Sequence, residues 1–206
     1  MIVPSMTSEE LVKEIFNDRQ IVIRKALHLT EKFRREAIKT RNKNLFRIYE
    51  YKSKQKNNWL IVIDYNSGDP LILTAAYYLN NSGLNAIYIL SDDETIVHYS
   101  AHFLERFNER LMKQDNISKL DILKRFLPQN NIATFDLIPD SGAYKNRVFV
   151  RFKDGIGLGI SEKLWNKKII FLKTYISAEM IKGSQKKEYK SITNAFQEHW
   201  NEFYKI

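Results

Sequence analysis

His102, Arg106 and Arg110 recur every fourth residue within His98-Tyr99-Ser100-Ala101-His102-Phe103-Leu104-Glu105-Arg106-Phe107-Asn108-Glu109-Arg110-Leu111. On a helix turning about 100° per residue they fall at roughly 0°, 40° and 80°, which makes one polar stripe. Phe103, Phe107, Leu111 and Leu104 follow on the adjoining side, and an apolar side must face a core. The polar stripe is therefore expected at the border of core and solvent, where side chains line a cleft. A neutral imidazole accepts a proton near neutral pH. Guanidinium forks match phosphate oxygens and stabilise charge developing on them. Together these groups meet the needs of RNA cleavage without a metal: one removes the proton of a ribose 2′-hydroxyl, and the cations hold the pentacoordinate phosphate. His102 is the expected general base or acid, with Arg106 and Arg110 as the phosphate clamp. Glu105 and Glu109 flank the arginines, so a helix laced with surface ion pairs has the same local spacing.

Other chemistries find less support. His98 and His102 stand four apart and could present two nitrogens to zinc. There is no His-Glu-x-x-His, however, and Ser100 reads as a helix cap that leaves His98 on a preceding strand. No metal site is expected. Zero cysteines exclude disulfides, thiolate zinc and a cysteine nucleophile. Walker-type loops, Gly-x-Ser-x-Gly and Gly-x-Gly-x-x-Gly are all missing, so no phosphate loop, hydrolase elbow or dinucleotide cofactor is expected. His28 and His199 lie in amphipathic stretches and read as structural.

The elements that must position these groups can be read from periodicity. Thr7 to Glu10 is a capping box, followed at helical spacing by Leu11, Ile15 and Phe16, then Leu27, Phe33 and Ile38. This predicts one bent helix or two short ones over 8–41. Residues 24–43 hold eight Lys/Arg, Arg34 and Arg35 among them, against two Glu, which reads as a solvated face or a phosphate-tracking patch. From Leu45 the period shifts towards two. Strands are expected over 45–51, 59–65, 84–90 and 95–99, while 71–78 fits strand or buried helix. Ser100 should cap a helix to about Met112, with a second short helix over 117–126 and Pro128 ending it. Val148, Val150 and Phe152 alternate with Arg147, Phe149 and Arg151. That cation–aromatic–cation row either grips phosphates and stacks a base or is an ordinary solvent-facing side. Asp154-Gly155 is a turn, and Gly157 and Gly159 leave one side of the next strand bare for a ligand or for helix packing. A strand over 169–176, a short helix from Ser177 to Ile181 and an amphipathic helix over 186–204 complete an α+β pattern.

With 44% hydrophobic residues in a chain of 206, and only seven Gly and four Pro, a folded core is expected and a flexible linker is not. The +9 formal charge favours polyanionic partners, RNA or another nucleic acid foremost. No signal peptide or membrane span is evident, the longest mostly apolar stretch running only from Leu71 to Leu79. A cytoplasmic protein without membrane association is the expectation.

Ser100-Ala101-His102 opening a helix that continues through Arg106 and Arg110, then a short helix, several strands and a terminal strand ending Lys173-Thr174-Tyr175-Ile176, resembles the barnase–EndoU–colicin–RelE superfamily of metal-independent ribonucleases. The resemblance covers residues 95–178. It implies a helix packed on a small antiparallel sheet, with His102, Arg106 and Arg110 facing Thr174, and with Lys173 or Tyr175 nearby. Thr174 and Lys173 lie on opposite sides of a regular strand, so both reach one cleft only if the strand ends or bulges there. The organisation expected is a basic helical extension over 1–43 and an α+β domain over 44–206. The function expected is a toxin-like endoribonuclease or a degenerate relative, for which an acidic antidote protein is a natural partner. The alternative is a non-catalytic nucleic-acid-binding or regulatory module that uses Arg34, Arg35, Arg147 and Arg151.

Overall fold

Thr7 and Glu10 make the reciprocal contacts of a capping box: the Thr7 N–H donates to Glu10 Oε2 at 2.8 Å, and the Glu10 N–H donates to Thr7 Oγ1 at 3.3 Å. From this cap α1 (Ser8–Thr40) runs as one helix. The computed structural model describes residues 1–40, 44–66, 70–90, 92, 94–130, 133–137, 146–182 and 185–204. Arg41 and Lys43 of the basic run lie outside them. The buried stripe of α1 includes Leu11, Ile15, Asp18, Val22, Ala26, Thr30, Phe33 and Ala37. Leu27 and Ile38, expected on the core side, are 53% and 68% exposed. The inner side of this half is built from small residues around Phe33, which hydropathy weighs little.

The chain divides into two units, Met1–Ile89 and Leu90–Ile206. In the first, β1 (Asn44–Lys52), β2 (Asn58–Asn66), β3 (Leu71–Asn80) and β4 (Gly83–Ile89) form an antiparallel meander. The ambiguous 71–78 segment is thus strand. Helix α1, expected as an extension, packs on β2 and β3 and belongs to this unit. Its Asp18 is fully buried and accepts from Trp59 Nε1 at 2.8 Å and Asn57 Nδ2 at 3.0 Å. Arg47 of β1 pairs with Glu36 at 2.8 Å and lies over the Phe33 ring.

The second unit holds β5 (Thr95–Tyr99), α2 (Ala101–Phe107) continued by a π-helical turn (Asn108–Met112), α3 (Lys119–Gln129), β6 (Thr134–Leu137), β7 (Arg147–Phe152), β8 (Gly155–Leu164), β9 (Lys167–Ser177), a single 3₁₀ turn (Ala178–Met180) and α4 (Gln185–Tyr204). The 3₁₀ turn stands where a short helix from Ser177 was expected. Helix α3 starts at Ser118, whose Oγ accepts the Asp121 N–H at 3.0 Å, and it carries Pro128 in its last turn rather than stopping before it.

The protein is α+β. The small antiparallel sheet expected for this half is instead a mixed one, ordered β5-β9-β8-β7-β6, because β5 and β9 run parallel. Helices α2 and α3 cover one side of it. Tyr99, Phe103, Phe107, Phe126, Phe152 and Tyr175 interlock there with ring centroids 4.9 to 6.5 Å apart, some pairs tilted and most in the edge-to-face geometry that aromatic quadrupoles favour. Helix α4 covers the other side at β6 and β7, burying Phe149, Ile156, Ile181 and Ile192 together. Gly157 belongs to the aromatic side. A methyl group there would sit 2.9 Å from Phe152 and 3.1 Å from Phe103, so the bare surface receives core rings rather than a ligand. No helix among the described residues is long and apolar enough to cross a membrane.

Candidate functional site

Ser100 fixes where α2 begins. Its Oγ accepts the Phe103 N–H at 3.2 Å and donates to the Lys173 carbonyl at 3.5 Å, while its own N–H donates to the Leu172 carbonyl at 3.2 Å. These contacts seat the helix start on β9 where β5 ends, Tyr99 being paired with Leu172. Past that point β9 loses its parallel neighbour, and main-chain carbonyls on that edge need other donors. Arg110 supplies one by donating through Nη1 to the Tyr175 carbonyl. The π-helical turn brings it there: its wider i→i+5 bonding turns less per residue, and it closes on Lys113 at φ 50°.

Arg106 stands between His102 and Glu109. Its Nε–H donates to His102 Nε2 at 3.4 Å, and Nη1 donates to Glu109 Oε2 at 2.5 Å. His102 is exposed and Arg106 half-buried. Of the two flanking glutamates, Glu109 pairs with Arg106, whereas Glu105 pairs with Lys119 at 2.9 Å. Nε2 is placed as the acceptor of this contact, which leaves Nδ1 as the ring nitrogen on the other side.

Lys173 is the extra residue of a β-bulge: Leu158 pairs with Thr174, while Gly159 pairs with Leu172. Its side chain is exposed and its carbonyl lies at the start of α2. The bulge reverses the side taken by each later residue. Thr174 therefore shares the α4 side with Leu158, away from His102, and not the α2 side expected for a catalytic contact. Tyr175 comes to the α2 side but is 0% exposed, its ring against Phe103 and Phe107, so it is a core residue and not a nucleic-acid contact.

The Arg147–Phe149–Arg151 row is also corrected. Phe149 is buried under α4, and the Arg151 guanidinium lies between the Tyr189 and Phe196 rings, 4.7 Å from each, donating to the Gly155 carbonyl at 3.1 Å. Desolvation lowers the pKa of Arg151 from its ordinary value. Arg147 is half-buried at the start of the same strand side. That side is covered by a helix, so Phe149 and Arg151 do not face solvent. Arg34 and Arg35 are exposed on α1 in the first unit.

The Tyr175 hydroxyl is buried and has no hydrogen-bond partner among the described residues; burial pushes its pKa up. An unsatisfied buried hydroxyl destabilises by about 1–3 kcal/mol. Tyr175→Phe is accordingly expected to raise stability by about 1 kcal/mol, seen as a higher urea midpoint at unchanged m-value. A lower midpoint would mean that the hydroxyl is satisfied.

His98 and His102 do not converge. His98 sits on β5 with its ring edge-on to Phe171 at 5.4 Å, and desolvation lowers its imidazole to about 4. Among the described residues no group of three or more His, Cys, Asp or Glu could hold a metal ion. Unfolded histidine titrates near 6.5, so between pH 6.5 and about 4 the unfolded chain binds the extra proton. Stability from this group is therefore complete near neutral pH and declines as the pH falls through that window, by about 2 kcal/mol once residual exposure is discounted. His98→Gln should flatten that part of the stability–pH profile relative to wild type; parallel profiles for the two proteins would refute the assignment.

No known protein family, curated protein or solved structure compared with this chain matches it.

Proposed function

We propose that the second unit is a metal-independent endoribonuclease of the barnase–EndoU–colicin–RelE type, working at the α2 ridge. The observation that carries this reading is the exposed His102–Arg106 pair, with Nε2 and Nε 3.4 Å apart, at the helix start beside the Lys173 bulge. A phosphodiester arriving at the ridge competes for the Arg106 guanidinium, draws it from Nε2 and frees the imidazole lone pair. His102 then takes the proton of a 2′-hydroxyl, the 2′-oxygen bonds to phosphorus, and the bond from phosphorus to the 5′-oxygen breaks. The imidazolium returns its proton to that leaving oxygen, giving a 2′,3′-cyclic phosphate and a 5′-hydroxyl. Arg106 stabilises the pentacoordinate charge, and Lys173 adds a second cation. Arg110, committed to the β9 edge through one nitrogen, retains further donors.

Incubating purified protein with mixed-sequence RNA in EDTA is expected to yield fragments ending in 2′,3′-cyclic phosphate. Intact RNA under those conditions removes the catalytic claim. A second reading, non-catalytic nucleic-acid binding, draws on Lys32, Arg34, Arg35 and Lys39, all exposed along one helix. It predicts salt-sensitive RNA binding that survives His102→Ala and weakens when Arg34 and Arg35 are neutralised.

A further inference from the structure

The β8–β9 hairpin closes on the Leu164–Lys167 pair, leaving Trp165 and Asn166 as a two-residue loop. The two-residue loops that match sheet twist need a positive φ at their first central residue, which favours glycine or asparagine. Trp165 stands there, at φ 53°. A bulky side chain in the left-handed region is a backbone outlier that the surroundings must hold in place. Burial does not compensate, because Trp165 is 50% exposed whereas Trp59 is 1% exposed. A second concession lies beside it. Lys163 and Lys168 are direct cross-strand partners, and like charges directly opposite destabilise a sheet. Lys167 adds a third ammonium, next to Asp92, and Lys168 rests on the Phe135 ring.

Both features suit one kind of ligand. An exposed aromatic ring stacks an unpaired base of any identity, and neighbouring ammonium groups take the phosphates on either side. We propose that the Trp165 tip, with Lys163, is a stacking anchor for single-stranded RNA, lying at the far end of β9 from the α2 ridge. This rests on the reading of the protein as acting on RNA. The anchor and the ridge are separated by about 20 Å of strand between Lys167 and Lys173. The anchor therefore engages substrate beyond the scissile step, and a dinucleotide reaching the ridge does not touch it.

The test uses the full chain carrying His102→Ala, so that RNA stays intact, and a fluorescein-labelled 12-nucleotide oligouridylate. Adding Trp165→Gly is expected to weaken binding about tenfold while leaving the melting temperature equal or higher; Trp165→Phe should restore most of the affinity. A blunt RNA duplex, whose bases are already stacked, should bind equally well with and without the Trp165→Gly substitution. Unchanged oligouridylate affinity overturns the proposal. So does a loss confined to vesicles of anionic lipid, which assigns the tip to a membrane surface instead. If Trp165→Gly lowers the melting temperature, Trp165→Asn, also tolerant of positive φ, replaces it, and retained affinity there overturns the anchor. Binding that depends on Trp165 in a protein that never cleaves RNA keeps the anchor and removes the catalytic reading. Cleavage with Trp165-independent binding does the reverse.

Discussion

On the proposed ribonuclease reading, His102→Ala is expected to slow RNA cleavage by about 10²–10⁴-fold, the range contributed by a positioned acid–base group. The loss should fall on the single-turnover rate constant rather than on RNA affinity, because the cations of the ridge remain. Arg106→Lys separates the two functions further. Lysine keeps the charge but not the planar fork that donates to His102 and Glu109 together, so a rate loss with preserved salt dependence is expected. Equal cleavage by wild type and His102→Ala under single-turnover conditions in EDTA would leave the imidazole without a catalytic part.

Gly159→Ala is expected to destabilise the protein by about 3 kcal/mol, the upper end of what overpacking commonly does. A Cβ at this position would collide with the Phe171 carbonyl oxygen and lie 2.8 Å from the carbonyl carbon. Both atoms are main chain in the neighbouring strand, so no rotamer change relieves the clash. The position also lies opposite the bulge, Gly159 pairing with Leu172 while Leu158 pairs with Thr174. Moving β9 to admit a methyl group disturbs Lys173, whose carbonyl lies at the start of α2. Gly157→Ala is the control: its nearest neighbours are side-chain atoms of Phe152, Leu172 and Phe103, which can shift by a few tenths of an ångström, and the loss should be smaller. Chemical denaturation of both variants measures the difference. A Gly159→Ala protein within about 1 kcal/mol of wild type would mean that the strand register differs.

Local signals carry well. The capping box at Thr7, the Ser100 cap and the alternation in β7 and β8 are readable because each depends on residues a few positions apart. The His102–Arg106 adjacency follows from helical spacing alone, and the parity conflict at Thr174 points to a strand end or a bulge; a bulge is found, but it turns Thr174 away from His102. What escapes depends on distant partners. The parallel β5–β9 pairing joins segments that periodicity treats separately. The side bearing Arg147, Phe149 and Arg151 reads as solvated because α4, which covers it, lies beyond two further strands; Phe149 between the arginines is the available clue. In α1 the inner side at Ala26, Thr30 and Ala37 is too weakly hydrophobic to compete with Leu27 and Ile38. Trp165 raises no signal in periodicity, although a tryptophan where a two-residue turn prefers glycine is visible in the chain.

The parallel pairing also dictates an order of events during synthesis. Every ladder of the meander Asn44–Ile89 joins consecutive strands, a low-contact-order arrangement that can close as the chain emerges. In the following unit the strand that joins β5 to β8 is the last of the five to be made, and both neighbours wait for it. Until Lys167–Ser177 has left the ribosome, α2 lacks the strand it packs against. This nascent intermediate is the species most in need of a chaperone.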